Sequence, residues 1–135
     1  MKKFRNILAT IAGFIIGSVV NMLLISVSGK IIPLPDGVKN STADDLAAGI
    51  HLMEPKHFIF PFLAHALGTL VGAFIATKLS YPKSIVGSMV IGVLFLFGGI
   101  SMVVMLPNAP VWFSTVDLAL AYLPMAYLGY MLGKK

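Results

Sequence analysis

The stretch HLMEPKHFIFPFLAH, residues 51–65, holds all 3 histidines of the chain and joins a charged segment to an apolar run. Imidazole beside carboxylate can take up and release protons near neutral pH, or hold zinc and related ions. Elsewhere, Asp117 is the only acid inside an apolar run, and Asn21 is a lone amide in another. His65, Asp117, Asn21, His57 and Glu54 are therefore the candidate ligand-binding residues, and His51, Glu54 and His57 a candidate metal set. A structural reading competes with the metal set. Its H-x-x-E-x-x-H spacing matches neither H-E-x-x-H nor an i, i+4 pair. Pro55 also places Glu54 at a helix N-cap, where the helix dipole favours an acid. There is no nucleophile elbow, Walker motif or zincin motif, so no residue is assigned a catalytic role and no cofactor is expected.

These groups must be positioned by a chain with too little polar surface for a water-soluble globule: 58% hydrophobic, 11% charged, mean hydropathy +0.93. A helix crossing about 30 Å of hydrocarbon needs about 20 residues. Runs at 7–29, 57–79, 85–106 and 112–132 meet that length. None shows the alternation of a transmembrane barrel strand. The expected fold is an all-α, polytopic four-helix membrane bundle, a single domain over 1–135 made of two hairpins. Tight turns at 80–84 (SYPKS) and 107–111 (PNAPV) connect the helices within it. The N-terminal MKKFRNILATIAGF looks like the start of a secretory signal, but its apolar stretch exceeds the usual h-region of about 7 to 15 residues. It is read as a retained first helix.

A net charge of +5 on a soluble protein would point to nucleic acid; on this chain it points to topology, and no nucleic-acid partner is expected. Lys2, Lys3, Arg5, Lys78, Lys83, Lys134 and Lys135 fall on one side, and Lys30, Lys39 and Lys56 on the other. The positive-inside rule then puts both termini in the cytoplasm and the 30–56 loop outside, in a bacterial inner membrane. Within that loop Ser41 with Asp44, or Thr42 with Asp45, fits a capping box. Leu46, Ile50 and Met53 share one helical face, so a short amphipathic helix should lie over the outer mouth of the bundle. With no cysteine, disulfides, thiolate metal sites and thioether haem attachment are excluded.

On helix 2, His65 shares an arc of roughly 120° with His57, Pro61, Ala64, Gly68, Gly72 and Ala76. Small residues spaced this way let helices approach closely, so His65 should face protein rather than lipid. Gly13, Gly17 and Asn21 form a similar row on helix 1. Counting 1.5 Å per residue from the membrane edges puts Asn21 and His65 at roughly 20 Å above the cytoplasmic side and Asp117 at roughly 22 Å. Each also has a plainer reading. Ser114-x-x-Asp117 fits a capping box, Asn21 would make one interhelical hydrogen bond, and His65 would be a neutral imidazole donating to a backbone carbonyl; Pro61 would merely kink its helix while freeing the carbonyl of His57.

In helix number and chain length the protein resembles the small multidrug-resistance transporters. Those carry a membrane-embedded glutamate in helix 1, where this chain has no acid, and no function is carried over. Three classes of function follow from the residues. The first is binding or translocation of a small polar solute, cation or amphiphile through a protonatable His65/Asp117 site. The second is a non-catalytic accessory role, packing against membrane partners. The third is an outer-leaflet enzyme or metal-binding protein using His57, His65 and Glu54. Besides the lipid bilayer, a homo-oligomer or a membrane-protein partner is expected, because four helices enclose little more than their own side chains.

Overall fold

The structure is a computed structural model describing residues 1–135. It is all helical: α1 (Lys2–Ile31), α2 (Ala43–Gly49), α3 (Ile59–Leu79), α4 (Ile85–Met105), α5 (Val111–Leu120) and α6 (Leu123–Gly133), with 3-10 turns at Ile50–Leu52 and Pro55–Phe58. Four helical spans are long and apolar enough to cross a membrane: Lys2–Ile31, Pro55–Leu79, Ile85–Met105 and Val111–Gly133. At 1.5 Å per residue α1 is roughly 45 Å long, so it outruns the hydrocarbon. Its ends carry Lys2, Lys3 and Arg5 on one side and Lys30 on the other.

Local chemistry sets the helix limits. Ile32 leaves α1 in an extended conformation, as a residue before proline must. The Thr42 hydroxyl accepts from the Asp45 N–H at 3.1 Å and starts α2. Ser84 does the same for Val86 at α4. Pro61 is the third residue of α3, where its missing N–H has no helical partner in any case, so α3 continues through it. Pro124 acts differently. The fourth apolar run, expected as one helix over 112–132, breaks at Ala121 and Tyr122. Pro124 cannot donate to the carbonyl of Leu120, and its ring crowds that oxygen.

The packing reverses the pattern of a water-soluble bundle. Small residues lie inside: Ala64, Gly68, Thr69, Gly72, Ala73, Ala76 and Thr77 are buried on α3, while Phe97, Val104, Ile15 and Leu23 stand exposed. α3 is the central helix. On one side Gly13 and Gly17 of α1 meet it so closely that a Cβ on Gly17 would lie 2.5 Å from the Gly68 carbonyl oxygen. On the other side Gly129 and Gly133 of α6 approach the carbonyls of Leu70 and Phe74. Without a hydrophobic force between helices in lipid, such approaches supply the association through dispersion and Cα–H···O contacts.

The chain termini and the α3–α4 turn share one end of the bundle. There Arg5 Nε donates to the Leu79 carbonyl at 2.9 Å, and Tyr81 N–H donates to Asn6 Oδ1 at 2.8 Å. The opposite, loop end is closed by Ile50, Phe58 and Leu106, with Leu46, Met53, Ala109 and Phe113 packed around them.

Candidate functional site

Three helices converge where the small-residue seam reaches the loop end. His65 lies two turns into α3 and Asp117 at the seventh position of α5; Tyr122 occupies the break before α6. His65 Nδ1 and Asp117 Oδ1 are 2.8 Å apart, and the Tyr122 hydroxyl donates to Asp117 Oδ2 at 2.8 Å. With Asp117 as the carboxylate, accepting at both oxygens, His65 donates from Nδ1–H and its Nε2 is the nitrogen left open. The two rings also stack, with centroids 5.8 Å apart. Asp117 is 4% exposed, and no buried polar side-chain atom lacks a partner.

This geometry removes the capping reading of Asp117. Pro110 is the N-cap of α5, and Asp117 lies beyond its first turn, with its carboxylate aimed at α3 and α6. Tyr122 was not among the residues singled out from the sequence. It stands in mid-run, unlike Tyr81, Trp112 and Tyr130 near the run ends, where aromatic residues anchor helices at a membrane interface, and a buried phenol needs a partner. Space for it comes from α4, where a Cβ on Gly99 would sit 2.5 Å from the Tyr122 hydroxyl oxygen.

Two cavities flank His65. One of about 340 Å³ is lined by Asn21 and Ile25, by Leu46, Ile50 and Met53, and by His65, Met102, Phe113, Ser114 and Asp117. A second of about 300 Å³ is lined by Asn21, His65, Gly68, Phe95, Gly99, Met102 and Tyr122. Asn21, His65, Gly99 and Met102 border both. Asn21 therefore faces the same space as the His65–Asp117 pair. The apolar face of α2 and the turn after it roof the first cavity.

The other candidates have different places. His57 Nδ1 accepts from the Glu54 N–H at 2.8 Å, which leaves Nε2–H to donate to the Pro33 carbonyl at 3.1 Å. His57 thus caps its own turn and ties the loop back to the end of α1, with both nitrogens used. Glu54 points outward and pairs with Lys56 at 3.3 Å, both side chains well exposed. His51 is exposed in the Ile50–Leu52 turn. No three His, Cys, Asp or Glu side chains gather to hold a metal ion, so His51, Glu54 and His57 do not form the metal set their spacing raised.

Chemically, the site offers one nitrogen that accepts a proton when neutral and donates when charged. Asp117 holds that ring in place through its bond to Nδ1. No family model, curated protein or solved structure matches the chain.

Proposed function

We propose that this protein binds a small polar solute or amphiphile at His65 and moves it across the membrane coupled to a proton. The observation that supports this most is the 2.8 Å pairing of His65 with Asp117 beside a cavity of about 340 Å³ that also meets Asn21. Ionisable groups within a membrane bundle are costly and belong to binding and proton pathways by default. A broken helix contributing to the site fits the same reading, since transporters place discontinuous helices where substrate binds. On the positive-inside rule the termini lie in the cytoplasm and the α2 loop outside a bacterial inner membrane: seven basic residues stand at the termini end and three at the loop end.

The test is uptake into proteoliposomes with and without an imposed proton gradient, using labelled amino acids, alkylammonium ions and fatty acids as probes. Gradient-dependent uptake of at least one probe class is expected, and its loss in His65→Ala. Uptake that is equal in the two proteins, or absent from both, overturns the reading.

A further inference from the structure

The same site indicates what kind of head group it accepts, on the footing that His65 is the ligand site just proposed. Asp117 is closed to a ligand: His65 and Tyr122 occupy both its oxygens and it is buried. What remains for a ligand is His65 Nε2, the Asn21 amide and the Ser114 hydroxyl, none of them a free anion. The rest of the larger cavity is chiefly apolar, formed by Ile25, Leu46, Ile50, Met53, Phe58 and Val103. Ile25 and Met102 both line it and are exposed on the flank between α1 and α4, which marks a sideways route from lipid. At roughly 30 Å³ per water-sized group, the space takes a chain of about ten such groups.

We infer that the ligand is a single-chain amphiphile with a carboxylic acid head, the head at His65 and Asn21 and the chain beneath α2 toward the α1–α4 flank. A trimethylammonium head has no proton for Nε2 and finds no open carboxylate. An alcohol can donate to Nε2 and accept from the Asn21 amide, but it is too weak an acid to pass its proton to an imidazole and form an ion pair. An acid enters from lipid uncharged. Its O–H bond breaks and an N–H bond forms at Nε2, leaving a carboxylate against an imidazolium that Asp117 already holds. The Asn21 amide donates to the second oxygen. Net charge in the bundle is the same before and after transfer, so no bare charge is carried out of water. The titratable groups facing His65 are Asp117 from α5 and Tyr122 from the break. α1 presents Asn21, α4 presents Gly99 and Met102, and α2 presents the apolar Leu46.

Trp112 is the only tryptophan and stacks edge-on with Phe58 and Phe113, which line the cavity. The experiment places the full-length protein in lipid nanodiscs and follows quenching of Trp112 by brominated twelve-carbon chains with carboxylic acid, hydroxyl or trimethylammonium heads. Displacement by the unbrominated chain separates site binding from the bilayer background. The acid should bind at least tenfold more tightly than the ammonium. His65→Asn keeps an amide donor for Asp117 but has no Nε2, and should lower acid affinity about tenfold at an unchanged melting temperature. If that variant does not fold, the head-group order in the wild type and the weakened acid binding of Asn21→Ala decide. Ammonium binding as tight as acid, no displaceable acid binding, or acid binding indifferent to these substitutions overturns the inference. His65-dependent uptake of another probe class in that case leaves the transport reading standing and removes only the acid head.

Discussion

Asp117 draws its two hydrogen bonds from residues 52 positions before it and five after it, so its environment exists only in the folded bundle. Losing one donor should be felt. Tyr122→Phe keeps the ring stacked on His65 and removes the hydroxyl, and should cost about 1.5–3 kcal/mol, the range for a bond to a charged group. Denaturant titration in detergent measures it, and a change under about 0.5 kcal/mol would show that the bond contributes little. His65 and Asp117 were legible in the sequence because an ionisable residue in an apolar run has few places to go. Tyr122 was not, because tyrosine serves equally as an interfacial anchor, and only the bare α4 surface at Gly99 distinguishes the two roles. The histidine cluster left two readings open for a related reason. His57 looks the same on paper whether its nitrogens face a metal or, as here, the backbone of Glu54 and Pro33. His57→Ala should release that tether and speed tryptic cleavage at the exposed Lys39. Cleavage at the wild-type rate would mean the loop is held by its apolar contacts alone.

Two prolines show how position governs an element. Pro61 falls in the first turn of α3 and disturbs nothing, whereas Pro124 stands inside an apolar run and divides it. Both runs are apolar enough to span, which is why the four spans could be read from the sequence and the α5–α6 break could not. Pro124→Ala restores a donor for the Leu120 carbonyl and should let the two helices join. Amide hydrogen exchange over residues 120–125 should slow at least tenfold, and the phenol of Tyr122 should leave Asp117 as the chain straightens. Unaltered exchange would assign the break to the packing of Tyr122 against α3 and α4 instead. A short helix in the loop was visible from its capping pair, but of Leu46, Ile50 and Met53, expected on one helical face, only Leu46 lies in α2; Ile50 opens the following 3-10 turn and Met53 is extended beyond it. Which of Ser41 and Thr42 caps it needed the hydrogen bond.

At the level of the whole molecule, stability resides in glycines and not in large side chains. Gly17→Val forces a side chain into the Gly68 backbone and should destabilise the bundle by about 1–3 kcal/mol. Leu23→Ala, on the exposed face of α1, should change it by less than about 0.5 kcal/mol. Melting temperatures of the two variants in one detergent provide the comparison, and the reverse order would mean that α1 buries its large residues against something other than lipid. Glycine and alanine spacing made this seam legible on α1 and α3. The matching Gly129 and Gly133 on α6 were not read as part of it, since the break shifts the helical phase expected of one continuous span.

The empty side of Gly99 carries a consequence beyond packing. A single methyl there would push the phenol aside and uncover one oxygen of Asp117, and the site proposed here for acids would attract amines instead. The head group favoured at His65 would then be decided by a position that has no side chain to ionise.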